Sequence, residues 1–218
     1  MHYRIIDMAS DPRSGQFAYF RGMTFPFAGL TVEVDITDMM AARGSRPFFL
    51  SLLYAVVRAA NAVPQLRRRL LPYGRVAEYD WCAPSYTVMK PDGVYVYATV
   101  EGNLAYEEFV AEGQRRQKEV LERGTLTEDG DLRSFFFVSS VPWLHYTHAQ
   151  NPMENPNDSN PRINWGKYVT ANGRTTLPVT LTVHHALADG LHISRFYQKL
   201  EEELAALTRQ WNESKKDF

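Results

Sequence analysis

The feature that most constrains the fold is a change of hydrophobic period near the C-terminus. Alternate apolar residues from Leu177 to Val183 predict a strand with one buried face. His185 continues that face, whereas His184 belongs to the opposite one. Beyond the junction the apolar residues recur at spacings of three and four, which is typical of an amphipathic helix. They are Phe196, Leu200, Leu204, Leu207 and Trp211.

The other elements follow a mixed order rather than a strict alternation of strands and helices. Residues 29–37 alternate like a half-buried strand, and residues 84–89 and 94–100 read as a hairpin around the turn "KPDG". A helix is expected from Asn103, as its N-cap, to Gly124, and residues 151–164 read as a loop. We therefore expect an α+β fold with a mostly antiparallel or mixed sheet covered by helices.

Length and composition indicate one domain over residues 1–218, with a disordered tail from about 212 to 218. The net charge of −1 and the absence of a long basic tract argue against nucleic-acid or membrane partners. The longest apolar run, around Phe48 to Val57, is too short to span a bilayer. Cys82 is the only cysteine, which favours a reducing cytoplasm, and no glycine-rich phosphate loop follows a strand.

The junction carries three of the six histidines, and several readings are open. A histidine at the end of a buried strand is held neutral by desolvation, as general-base catalysis on a hydroxyl requires, but most such histidines are structural. Asp189 has the right type for a helix N-cap, and it also lies where it can orient His185. A metal site built from His184, His185, Asp189 and His192 is disfavoured because the two adjacent histidines face opposite sides. We expect no metal.

The segment "HHALADGLH" at 184–192 resembles the HHxxxDG motif of the type A chloramphenicol acetyltransferases. The likeness continues through residues 164–204, and "FFFVSSVPWLHYTH" and "IDMASDPRSGQFAYFRG" are similar to further segments of that family. Peptide condensation domains and the acyltransferase cores of 2-oxo acid dehydrogenases share the motif. The former are too long for this chain, and the latter carry upstream regions for which it has no room.

The resemblance implies the fold of the CoA-dependent acyltransferases and a homotrimer with its active sites at subunit interfaces. Acetyl-CoA and a small hydroxyl acceptor are expected to enter from opposite ends of a tunnel, with no metal and no acyl-enzyme. By the same resemblance His185 is the general base and Ser139 donates a hydrogen bond to the oxyanion. Asp189 pairs with Arg13 to hold the histidine loop. Without the resemblance, Ser139 reads as an ordinary strand serine.

The resemblance also assigns binding residues. Trp143, Lys167 and Tyr168 occupy positions that bind CoA, against the plainer readings of Trp143 as core and Lys167 as a solvated charge. Tyr19, Phe20 and Asn164 fall in the acceptor pocket.

The departures from the family concern the acceptor rather than the chemistry. Asn164 stands where the family often has threonine, and Phe20, beside Tyr19, where it has a tyrosine. Ala188 replaces a cysteine inside the motif. The resemblance thus implies an acetyl-CoA-dependent O-acetyltransferase, with chloramphenicol the leading acceptor and antibiotic resistance the consequence. The alternatives are transfer to another hydroxyl compound, or a catalytically idle trimer that binds a small molecule.

Overall fold

The structure is a computed structural model that describes residues 2–127 and 130–214. Within these ranges ten strands and five α-helices follow one another. They are β1 (Tyr3–Ile6), α1 (Ser14–Arg21), β2 (Phe27–Asp35), α2 (Thr37–Arg43), α3 (Phe48–Asn61), β3 (Arg68–Leu70), β4 (Val76–Tyr79), β5 (Ala83–Met89), β6 (Tyr95–Thr99), α4 (Tyr106–Arg123), β7 (Phe135–Val141), β8 (Arg162–Gly166), β9 (Val169–Ala171), β10 (Arg174–His184) and α5 (Gly190–Ser214).

The larger sheet has the strand order β2-β10-β8-β7-β5-β6, with β9 paired to β10. Strand β7 runs parallel to both β5 and β8, and the other neighbours are antiparallel. The predicted α+β class with a mixed sheet is confirmed, and the hairpin predicted around residues 90–93 joins β5 to β6.

The core forms where the two hydrophobic periods meet. The alternate residues Leu177, Val179, Leu181 and Val183 of β10 are buried, as their spacing predicts. They share one cluster with the buried stripe of α5 and with most of the nearly all-apolar helix α3. Because α5 begins directly after the β10 turn, this packing fixes the junction between them.

A second, three-stranded antiparallel sheet has the order β1-β4-β3 and was not anticipated from the sequence. Its strands have only three or four residues, and a period of two cannot be recognised over so short a run. Helix α1 was missed as well, because none of its residues is buried and its apolar residues mark no single face. Both elements prove important for the site.

Two element boundaries differ from prediction. Helix α4 begins after Ala105 rather than at Asn103, because the Glu108 carboxylate accepts the Ala105 N–H at 3.3 Å while the Asn103 side chain accepts from Arg58. Its predicted end is confirmed, since Gly124 adopts the left-handed conformation with φ 68°.

The predicted disordered tail is wrong for residues 212–214, which are helical. The Ser214 hydroxyl donates to the Gln210 carbonyl within the last turns of α5. Residues 215–218 of that prediction lie outside the described residues.

Strand β2 is less buried than its pattern suggests. Val34 and Ile36 are buried as predicted, but Leu30 and Val32 are 49% and 37% exposed in the single chain. The reason is its place at the edge of the sheet, beyond β10. An apolar edge of this kind is a surface suited to a partner.

Candidate active site

The histidine pair lies at the point where β10 ends. The His185 N–H donates to the Pro26 carbonyl at 2.7 Å, and the N–H groups of Leu187 and Ala188 both donate to the His184 carbonyl. These bonds turn the chain sharply between β10 and α5. The backbone, rather than a flexible loop, therefore fixes the position of His185.

The His185 ring is half-buried and stacks on Phe20 of α1, with ring centroids 3.9 Å apart and planes 5° from parallel. Its Nδ1 is buried and has no hydrogen-bond partner within the part of the chain that the structure describes. The imidazole is thus oriented by stacking and by backbone contacts rather than by a hydrogen bond to Nδ1.

His184 differs sharply from its neighbour. It is 2% exposed, its Nε2 donates to the Pro156 carbonyl at 2.9 Å, and its Nδ1 accepts the Ala186 N–H at 3.2 Å. Burial lowers the pKa of His184, so this ring is the neutral, structural one. The prediction assigned the buried end of the apolar row to His185, and this is wrong because β10 ends at His184 and the alternation does not extend past it.

The predicted contact between Arg13 and Asp189 is present. The Arg13 guanidinium pairs with Asp189 Oδ2, and its Nη2 also donates to the His185 carbonyl at 3.0 Å. Asp189 Oδ1 accepts the Leu191 N–H at 3.1 Å, so Asp189 caps α5 as its residue type suggested. The pair is only partly buried, with side chains 13% and 29% exposed, whereas a buried pair was expected.

His192 had no predicted role, and it supports the same carboxylate from the other side. Its Nδ1 lies 2.7 Å from Asp189 Oδ1. Burial, with the charges of Arg13 and Arg195, lowers the pKa of His192 to about 4. The Asp189 N–H donates to the same Nδ1 at 3.2 Å, and because Arg13 already pairs with Asp189, His192 adds a neutral ring rather than a second cation.

Ser139 lies on β7, next to a cavity of about 780 Å³. Its hydroxyl is 3.4 Å from that of Thr87, and it is half-buried. The cavity combines rings with hydrogen-bonding groups, which suits an organic molecule with polar substituents. Its wall includes Thr87, Tyr95, Phe137, Ser139, Trp143 and Asn151.

The structure does not bring Ser139 and His185 together within one chain. Ser139 is in register with Asn164 of β8, and Asn164 with Thr180 of β10, which precedes His185 by five residues. Ser139 and His185 are therefore two inter-strand spacings apart across the sheet and five residues apart along the strand direction. Together these offsets correspond to a distance of about 15–20 Å. A single chain therefore cannot apply both side chains to the same small molecule.

The three residues assigned to CoA lie close to one another at the surface. Trp143 is 65% and Tyr168 42% exposed, Lys167 is also exposed, and the Lys167 N–H donates to the Leu144 carbonyl at 2.7 Å. The plainer reading of Trp143 as a core residue is wrong. An exposed indole and phenol beside a lysine can hold an aromatic, phosphorylated molecule.

The acceptor-pocket residues have separate environments. Tyr19 is 67% exposed and meets Phe20 edge-on, while Phe20 covers the His185 ring. Asn164 is buried, and its side-chain amide exchanges two hydrogen bonds, of 2.6 and 3.0 Å, with that of Asn151. It is Asn151 that lines the cavity.

Asn151 was missed because five asparagines occupy the loop segment and nothing local distinguishes one from another. That loop is tied down at several points. Ser159 accepts from the Leu70 N–H at 2.8 Å, and Asn160 donates to the Phe135 carbonyl at 2.8 Å. Together with the His184–Pro156 bond, these contacts couple the cavity wall to the histidine junction.

Among residues 2–127 and 130–214 there is no group of three or more metal-ligating side chains. In the same ranges no helix has the length and apolar character to cross a membrane.

Sequence comparison supports the family resemblance. The family profile described as chloramphenicol acetyltransferase matches residues 1–201. A chloramphenicol acetyltransferase of Vibrio anguillarum is 26% identical and aligns over 95% of this chain and 96% of its own length. One of Campylobacter coli is 27% identical over 93% of this chain and 98% of its own.

Structural comparison agrees. A solved chloramphenicol acetyltransferase superposes with a TM-score of 0.78 at 30% identity, covering 93% of this chain and all of its own. The truncated catalytic core of a 2-oxoacid dehydrogenase complex from Thermoplasma acidophilum superposes at 0.66 with 20% identity, over 93% and 98% of the two chains. The second likeness concerns the fold alone.

Proposed function

The chain belongs to the chloramphenicol acetyltransferase family and is an acetyltransferase, and we propose that it transfers the acetyl group of acetyl-CoA to a hydroxyl of chloramphenicol. The observation that carries this proposal is the half-buried imidazole of His185, held by Phe20 and by backbone contacts. A general base must be fixed in position and yet have a nitrogen to offer to its substrate.

In the proposed reaction His185 takes the proton of the acceptor hydroxyl as its oxygen attacks the thioester carbonyl. The Ser139 hydroxyl donates to the oxyanion of the tetrahedral intermediate. Collapse breaks the carbon–sulfur bond, and the leaving thiolate takes the proton from the imidazolium. The products are the acetyl ester and free CoA, and no acyl-enzyme forms.

The active site is proposed to lie between subunits of a homotrimer. The separation of Ser139 and His185 in one chain supports this, because two subunits are needed to present both groups to one substrate. The exposed apolar residues Leu30 and Val32 on edge strand β2 give further support. Each site would then combine the His185 of one subunit with the Ser139 cavity of the next.

Acetyl-CoA is proposed to bind beside Trp143, Lys167 and Tyr168, where rings and a cation are exposed together. The acceptor occupies the cavity beside Ser139, against Phe137 and Asn151. No metal takes part. The reaction is assigned to the cytoplasm, where drug acetylation confers resistance, and the buried, unpaired thiol of Cys82 is compatible with a reducing compartment.

A second candidate is the same transfer to another hydroxyl compound. The observation that favours it is that hydroxyl side chains such as those of Thr87 and Ser140 line the cavity beside the rings, which suits an acceptor with more hydrogen-bonding groups. The third reading, an idle binding protein, has no comparable support.

The test is release of free thiol from acetyl-CoA in the presence of chloramphenicol. Rapid release is expected, and His185→Ala should slow it by about 10²–10⁴-fold because the base is lost. The matched control is His184→Gln, which keeps an amide near the Pro156 carbonyl and should retain most of the activity.

Release with other hydroxyl compounds but not with chloramphenicol would favour the second candidate. No release with any acceptor, together with no CoA binding, would favour the idle protein. Equal losses in the His184 and His185 variants would refute the assignment of the base.

A further inference from the structure

A chain of charged side chains connects the small sheet to the histidine junction. The Arg68 guanidinium bridges two carboxylates, with Nη1 2.9 Å from Asp11 Oδ2 and Nε 3.0 Å from Glu78 Oε2. These three side chains are 9%, 11% and 5% exposed, so each charge depends on the others for compensation. Arg4, 73% exposed, adds an outer contact to Glu78 at 2.6 Å.

Asp11 also forms hydrogen bonds within residues 11–20, the segment that contacts His185. Its other carboxylate oxygen, Oδ1, accepts the Arg13 N–H at 2.9 Å, and its carbonyl accepts the Ser14 N–H at 2.9 Å at the start of α1. The position of Asp11 therefore sets both the backbone from which the Arg13 side chain departs and the beginning of helix α1.

The Arg13 side chain and helix α1 both contact His185. Arg13 donates to the His185 carbonyl and pairs with Asp189, while Phe20 of α1 stacks on the imidazole ring. The backbone and the ring of His185 are thus held from one segment, residues 11–20. That segment is clamped to the rest of the fold through Asp11 and Arg68.

We propose that Asp11 and Arg68 are positioning residues for His185, acting through Arg13 and Phe20. The inference rests on the proposed role of His185 as the base. If the network served only the small sheet, the Arg68–Glu78 pair between β3 and β4 would be sufficient, since these residues are direct register partners. The contact from Arg68 to Asp11 instead joins that sheet to the segment that holds His185 at the junction.

The test compares Asp11→Asn and Arg68→Lys with Arg4→Gln, a control on the outer end of the same network. Asp11→Asn removes the charge that Arg68 meets, and Arg68→Lys keeps a charge but cannot bridge two carboxylates as a fork does. Each should lower kcat about 10- to 100-fold, because small displacements of a reacting group are costly. KM for acetyl-CoA should hold steady, and Arg4→Gln should match the parent protein.

A second readout separates positioning from general damage. In a His185→Ala background, Asp11→Asn should cause no further loss of the residual rate, because the group it positions is gone. Unchanged kcat in both Asp11→Asn and Arg68→Lys, an equal loss in Arg4→Gln, or a full additional loss on top of His185→Ala would each overturn the proposal. A fully active His185→Ala variant would instead refute the proposed base. If Asp11→Asn does not fold, Arg68→Lys carries the same comparison.

Discussion

The histidine junction and the Ser139 cavity are built in opposite ways. At the junction, ion pairs, a stacked ring and backbone hydrogen bonds converge on His185 and Asp189. The cavity wall comes mainly from strands β5, β6 and β7, with residues of α3, α4, β8 and the loop before β8, and its side chains are mainly hydroxyls, amides and rings. The difference suggests that the first region is built for fixed geometry and the second for recognition of a molecule.

The largest expected effect tests whether the two regions act from different subunits. His185→Ala and Ser139→Ala should each be nearly inactive, with losses of about 10²–10⁴-fold and 10²–10³-fold. Co-expressed, differently tagged subunits of the two variants should recover activity, since a mixed trimer rebuilds one site with both groups intact. Purification through both tags leaves only mixed trimers, and each of these has about a third of the sites of the parent protein intact in a three-fold ring.

That recovery is measured as thiol release by the doubly purified mixture. Activity that stays at the level of the separate variants would mean that His185 and Ser139 do not act together across a subunit interface. A Thr87→Val variant serves as the control for the cavity wall, because Thr87 neighbours Ser139 without contributing the proposed oxyanion donor.

An intermediate effect is expected where the junction is held together. Asp189→Asn weakens the contacts to Arg13 and His192 and should lower the free energy of unfolding by about 1.5–3 kcal/mol. Denaturant unfolding at fixed protein concentration measures this loss. Arg174→Gln, which breaks an exposed pair with Asp35, should cost about 0–1 kcal/mol. Equal costs for the two would mean that the junction pair is no more important than a surface pair.

The smallest expected effect concerns the loss of folding stability at acidic pH. The folded pKa values of His184 and His192 lie below the ordinary value of 6.5, so the unfolded chain binds more protons as the pH falls from 6.5. The stability that these neutral rings contribute is complete above pH 6.5 and is lost on acidification, for His192 down to about pH 4. His184→Gln should make the unfolding free energy less dependent on pH in this window. A steeper dependence in the variant would contradict the assignment.

Much of the secondary structure could be read from the sequence because it has a local cause. The apolar row of β10 and the stripe of α5 are buried as their periods predict, and Gly124 ends α4 in the conformation that favours glycine. Short elements with little burial, such as α1 and the small sheet, were not predicted, because a periodic signal needs length and a buried face.

The site was predicted in part. The contact between Arg13 and Asp189, 176 residues apart, came from the family resemblance and is present. Asn151, Asp11 and Arg68 were not found, because their partners are distant in sequence and their residue types occur in several copies nearby. The roles of His185, Ser139 and the CoA-binding residues stay predictions for the experiments above.

The sequence by itself determined the chemical groups, the strand-to-helix junction and the α+β class, since period and residue type depend only on neighbours along the chain. The tertiary structure decided that His184 rather than His185 is the buried ring, and that Ser139 lies about 15–20 Å from His185 within one chain. Burial and distance depend on where a strand ends and on which strands lie between, and these follow from packing across the whole sheet.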